Sequence, residues 1–210
     1  MRVTGGRLLG RRVLCPTGLV TRPTTDMLRV ALFNMLKKRI EGSVVLDLFA
    51  GTGVLAFEAL SRGAKSAVLV ENNQKALLYI KKNIANLGLE DSVKVIRRDV
   101  FRVLGVLAHL ETKFDICFVD PPFALLRDAS AEQMLADFLV ELHLTSGLMA
   151  EDGITVVRYP KGDLFRRRLG AFQILRQRHY GSTEIALLAR RGVEIVLGTK
   201  HPFDRKAKGT

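Results

Sequence analysis

Between residues 44 and 157 the chain alternates short apolar runs with amphipathic helical segments, and this rhythm constrains the fold more than any other feature. Runs with strand character fall at 44–48, 67–70, 93–96, 114–119 and 154–157. They are apolar with little alternation, as strands are when helices cover both faces of a sheet. Helical segments separate them. One spans 54–62; the next shows Leu77, Ile80, Ile84 and Leu87 on one face with Gly88 as C-cap. Others fall at 100–110 and around Leu135, Phe138, Leu139 and Leu142. Such alternation predicts a parallel sheet with helices on both faces. Ahead of it, 25–40 reads as a helix with Leu28, Ala31, Leu32, Met35, Leu36 and Ile40 on one face, and Thr24 or Thr25 as its cap. Residues 2–14 read as short strands around Gly5, Gly6 and Gly10. After the alternation, 173–178 and 184–189 read as a hairpin through Tyr180-Gly181-Ser182, adding antiparallel strands at one edge.

The 210 residues suit one domain with small appendages, and 48% apolar residues are enough for a sizeable core. Charge is segregated. Residues 1–43 hold 9 Lys+Arg against 2 acids, residues 44–157 hold 11 against 15, and residues 158–210 hold 13 against 4. A mildly acidic centre between two basic ends points to a polyanion partner. No apolar run approaches the ~20 residues of a membrane span, and the first residues lack a signal-peptide apolar stretch. Cys15 and Cys117 make no disulfide framework, so a cytoplasmic location is expected.

Two motifs carry chemistry. Asp47-Leu-Phe49-Ala-Gly51-Thr-Gly53-Val-Leu-Ala56 follows a strand and opens a helix, where open α/β sheets bind ligands. Glu71 ends the next strand, as a ribose-binding carboxylate does, with Asn72 behind it. This element predicts a nucleoside-containing cofactor, either a dinucleotide or S-adenosylmethionine. Asp99, at the end of the third strand, reads as a further cofactor acid or as a helix N-cap. Asp120-Pro121-Pro122-Phe123 follows the fourth strand. Two prolines fix the backbone and remove two N–H donors. The Asp120 carboxylate and the Pro121 carbonyl remain as acceptors for the two hydrogens of an exocyclic amine, and Phe123 offers a face for an extruded base. No histidine has metal-ligand spacing, so no metal is expected. Arg166-Arg167-Arg168 reads equally as a phosphate contact or a solvated face.

The D-P-P-F signature behind such a glycine loop resembles the amino-methyltransferases. Further elements narrow the resemblance: Arg2-Val-Thr-Gly-Gly-Arg7, Gly10-Arg11-Arg12, Arg22-Pro-Thr24-Thr25-Asp26, Ala31-Leu-Phe-Asn34, Glu58-Ala-Leu-Ser-Arg-Gly63 and Tyr180-Gly-Ser-Thr183. Together, over about residues 2–190, they resemble the RsmD family of guanine-N2 methyltransferases of 16S ribosomal RNA. The resemblance implies a class I S-adenosylmethionine-dependent fold: a mostly parallel seven-stranded sheet with helices on both faces and a short N-terminal β-rich extension. It divides the chain into a β-hairpin extension (1–24), a methyltransferase domain (25–192) and a basic C-terminal extension (193–210). It implies cofactor contacts from Asp47, Phe49, Gly51, Gly53, Glu71, Asn72, Asp99, Val100 and Asp120, and catalysis by Asp120, Pro121 and Phe123. RNA contacts are expected from Arg7, Arg11, Arg12, Arg22, Thr24, Thr25 and Arg29. The partner implied is 16S rRNA within a small-subunit assembly particle, met by a monomer. The helix after Asp26 departs from the family pattern at Met27 and Val30, where Arg and Glu are common. Three other readings fit the residues: adenine-N6 methylation on the same D-P-P-F, a non-catalytic RNA-binding assembly factor, and a dinucleotide-dependent dehydrogenase, which leaves D-P-P-F and the basic ends unexplained.

Overall fold

The computed structural model describes residues 1–16, 25–161, 169–195 and 197. The strands are β1 (Val44–Leu48), β2 (Ser66–Glu71), β3 (Val93–Arg97), β4 (Phe114–Val119), β5 (Met149–Pro160), β6 (Phe172–Tyr180) and β7 (Thr183–Arg190). They form one seven-stranded sheet in the order β3-β2-β1-β4-β5-β7-β6. The first five strands run parallel; β7 inserts antiparallel between β5 and β6. The helices are α1 (Asp26–Leu36), α2 (Val54–Ser61), α3 (Gln74–Leu87), α4 (Leu104–Ala108) and α5 (Ala129–Val140).

The two-residue period of the strands sorts the core into two layers. Val45, Leu69, Ile116, Phe118, Val156, Ile185 and Leu187 face α1, α2, α3 and the N-terminal arm. Leu46, Leu48, Val68, Val70, Cys117, Val119 and Leu188 face α4 and α5. Every residue of α2 is buried, so its lone acid, Glu58, lies inside the protein.

Some elements differ from the sequence reading for local reasons. The helix expected at 100–110 is a 3-10 turn (Val100–Arg102) followed by the short α4. Gly105 and the β-branched Val100, Val103 and Val106 are poor helix formers, and the Asp99 side chain caps the turn by accepting from the Phe101 amide at 2.9 Å. β5 extends well past 154–157, because backbone pairing to β7 carries it through Arg158, Tyr159 and Pro160. Residues 2–14 form a single antiparallel bridge, Arg2 to Arg12, rather than strands. The arm instead docks on the C-terminal end of α2. The Arg7 amide donates to the Ser61 carbonyl at 2.7 Å and the Leu8 amide to Ser61 Oγ at 2.9 Å, satisfying groups a helix end leaves open. Val3, Leu8 and Val13 are buried in the same layer as α2. Gly6 is required here: its φ is 78°, and a Cβ would stand 1.9 Å from the Ser61 carbonyl oxygen.

Candidate active site

The carboxyl ends of β1, β2 and β4 meet at one edge of the sheet. From β1 the chain enters the glycine loop through Phe49, a non-glycine residue at φ 61°. A strained aromatic backbone next to a ligand loop is a mark of function. Gly51 and Gly53 also have positive φ. A Cβ on Gly53 would lie 2.6 Å from the Phe57 ring and 2.9 Å from Leu69 Cδ2, so no side chain fits there. The loop is tied to β2 at its start: the Ala50 amide donates to the Val70 carbonyl at 3.0 Å and the Gly51 amide to Glu71 Oε2 at 2.7 Å. Glu71 Oε1 accepts from the Asn72 and Asn73 amides at 2.9 and 2.8 Å. Three amides thus aim one carboxylate across the loop.

Asp47 is buried behind the loop and accepts weakly from the Ala56 amide, at 3.3 Å, in the first turn of α2. Burial, then the nearby Asp120, raise its carboxyl well above the ordinary value; the Ala56 amide works against this, and Glu71 adds to the rise. Asp47, Asp120 and Glu71 therefore gather three acids at this edge of the sheet, with Arg158 as a cation on Asp120. The sulfonium and ammonium of S-adenosylmethionine would add positive charge beside these acids, so the residues present fit that cofactor. Asp99 is exposed and engaged as an N-cap, and Val100 is packed in the core. Among the described residues no group of His, Cys, Asp or Glu could hold a metal ion.

Directly after β4, Pro121 is buried while Asp120 and Phe123 are partly exposed. The Leu125 amide donates to the Pro122 carbonyl at 2.9 Å and closes the turn. Leu28 and Leu32 of α1, Leu55 of α2 and Ile185 of β7 make an apolar wall beside Asp120. α1 thus stands beside Asp120, with Thr25 Oγ1 accepting from the Leu28 amide as its N-cap. Arg158, at the carboxyl end of β5, donates from Nε to Asp120 Oδ1 and sets its guanidinium 5.1 Å from the Phe123 ring centre.

The expected RNA contacts divide. Arg7, Arg11 and Arg12 are exposed on the arm, and Arg11 donates to the Asn86 carbonyl at the end of α3. Arg22 and Thr24 lie outside the described residues, as do Arg166, Arg167 and Arg168. Arg29 is a correction. It is wholly buried, donates from Nε to Glu58 Oε1 at 2.9 Å, and reaches the Arg2 carbonyl at 2.7 Å and Asp26 at 2.8 Å. Its charge is consumed inside the protein, where RNA cannot reach it. Sequence reasoning missed Glu58, Arg158 and Asn83. The signal for Glu58 was an acid within a wholly apolar helix; for Arg158, a cation ending a parallel strand at the site edge. Asn83, on α3, donates to the Leu14 and Thr52 carbonyls at 3.0 and 3.1 Å, linking the arm to the glycine loop. Nothing in the α3 pattern marked it.

A parallel sheet with an antiparallel β7, a glycine loop after β1 and an acid ending β2 define a class I S-adenosylmethionine-dependent methyltransferase. The family described as Conserved hypothetical protein 95 matches residues 1–189, and the chain belongs to that family, the RsmD family. YlbH of Bacillus subtilis, provisionally named an rRNA methyltransferase, is 35% identical over 91% of this chain and 100% of its own length. Ribosomal RNA small subunit methyltransferase D of Escherichia coli is 39% identical over 59% of this chain and 60% of its own length. Among solved structures, a protein of Escherichia coli provisionally named methyltransferase yhhF matches with a TM-score of 0.72 and 30% identity, over 90% of this chain and 97% of that one. Among the described residues no helix is long and apolar enough to cross a membrane.

Proposed function

We propose that the protein methylates the exocyclic N2 of a guanine in 16S ribosomal RNA. The observation that carries this reading is the D-P-P-F turn at the end of β4, beside the acidic pocket and the glycine loop. The D-named relatives, called small subunit rRNA methyltransferases, support the choice of RNA. The bound cofactor supplies a methyl group on a positively charged sulfur. Asp47, Phe49, Gly51 and Gly53 hold its methionine and ribose portions. Glu71 and Asn72 face the ribose hydroxyls: three amides use three of the roughly four acceptor positions of the Glu71 carboxylate, leaving one for a hydroxyl. Asp99 and Val100 border the adenine.

The amine of guanine is a weak nucleophile because its lone pair is delocalised, so placement contributes more than basicity. Asp120 and the Pro121 carbonyl accept its two hydrogens and turn the lone pair toward the methyl. When the nitrogen takes up the methyl group, the Asp120 carboxylate would accept the N–H proton it loses. Phe123 stacks on the extruded base. Arg7, Arg11 and Arg12, together with Arg22, Thr24 and Thr25, bind the RNA strand. The substrate is a partly assembled small-subunit particle met by a cytoplasmic monomer. Labelled S-adenosylmethionine incubated with particles from cells lacking the protein tests this. Label should appear in N2-methylguanosine of 16S rRNA and vanish with Asp120→Ala. Label in N6-methyladenosine, or no label with cofactor bound, sinks the reading.

A further inference from the structure

Resting on the guanine reading, we propose that Arg158 is a built-in stand-in for the target base: its guanidinium occupies the guanine site and must leave for guanine to enter. The same side chain covers two of the recognition elements of that site. Its Nε donates to the Asp120 carboxylate, and its planar group lies 5.1 Å from the Phe123 ring centre. Guanine carries the same chemistry along one edge, where N1–H, C2 and the N2 amine form a planar guanidine. A carboxylate has two oxygens, enough for N2–H and N1–H together. Adenine offers a donor at N6 but a lone pair at N1, which a carboxylate repels. A site that already accepts a guanidinium over the Phe123 ring is therefore matched to guanine and mismatched to adenine.

The placement of Arg158 suits a removable occupant. Its Cα is fixed by backbone pairing with Ile185 of β7, so the long side chain can swing out with the sheet unmoved. The pair is only partly buried, with side-chain exposures of 14% for Arg158 and 16% for Asp120. In the free protein the cation also offsets the crowding of Asp120 against Asp47. A cationic cofactor arriving in the same acidic pocket takes over that task and loosens Arg158.

The test is a ligand-detected NMR titration of guanosine and adenosine monophosphates against the full chain loaded with S-adenosylhomocysteine, as wild type, Arg158→Ala and Arg158→Gln. If the guanidinium leaves about one site in ten open, both variants bind the guanine nucleotide about tenfold more tightly, with the adenine nucleotide unchanged. N-ethylguanidinium should displace the guanine nucleotide from Arg158→Ala and act far more weakly on wild type. Unchanged or weakened guanine binding in both variants overturns the proposal and makes Arg158 part of the bound state. Tightening for adenine instead overturns the mimicry. Particle methylation by the wild-type chain checks the guanine reading separately, so either idea can fail without the other.

Discussion

Replacing Glu58 by glutamine should lower the thermal midpoint by roughly 6–20 °C and leave cofactor affinity unchanged. Glu58 is 0% exposed and collects four donors: the Thr4 amide at 2.9 Å, Thr4 Oγ1 at 3.0 Å, Arg29 Nε at 2.9 Å, and Arg62. Glutamine keeps the shape but turns an N–H toward one of those donors and strips the buried counter-charge from Arg29, which is equally buried and keeps the exposed Asp26. Breaking a buried pair from one side costs about 3–5 kcal/mol, because the other charge stays desolvated. For a chain of this size each kcal/mol moves the midpoint by about 2–4 °C. Differential scanning calorimetry reads the shift; titration with S-adenosylhomocysteine reads the cofactor site. Arg29→Met should also melt early, with an unchanged slope of log affinity for RNA against log salt. The reasoning is refuted if Arg29→Met melts like wild type while that slope drops by about one phosphate contact. Arg29 would then be an RNA ligand rather than the partner of Glu58.

Three further outcomes depend on pH. Asp47 has a raised folded value, so a cation binding beside it pulls that value down, releases a proton, and binds more tightly as pH rises through it. Calorimetric heats of S-adenosylmethionine binding should therefore depend on the buffer's ionisation enthalpy for wild type and much less for Asp47→Asn; equal heats for wild type contradict the argument. In the cofactor-free chain the same shift makes stability fall as pH rises from the ordinary carboxyl range through the higher folded value. His143 is buried against Phe172 with neither ring nitrogen hydrogen-bonded among the described residues, and burial lowers its folded value. The unfolded chain then binds the proton first, so stability is lost as pH falls through the ordinary imidazole range. His143→Leu should flatten the decline in melting temperature between about pH 8 and about pH 5; an equally steep decline assigns the acid limb to other groups.

The strand–helix rhythm was legible because the central parallel strands are largely apolar on both faces and α3 is apolar on one. β1 and β4 have the bounds their apolar runs predict, and Gly88 caps α3 in the left-handed conformation. The glycine loop and D-P-P-F were legible for a related reason: their chemistry rests on backbone freedom and its removal, which glycine and proline display directly. The N-terminal arm was less legible. Its glycines signal turns, but its hydrogen-bond partners at Ser61 are more than fifty residues away, and local pattern carries no record of them.

Sequence alone determined the alternating fold, the glycine loop after β1, the acids ending β1 and β2, and the acceptor-rich turn after β4. Each is a local preference, set by neighbouring side chains and allowed φ. Tertiary structure decided which charges are buried and paired. Arg29 and Arg7 look alike in the sequence, yet one is enclosed by Glu58 and the other faces solvent. Arg158 meets Asp120 only because β5 lies beside β4 in the sheet, with Val157 paired to Val119. Charge pairing depends on distances of a few ångströms between residues far apart in the chain, and only the closed fold sets those distances.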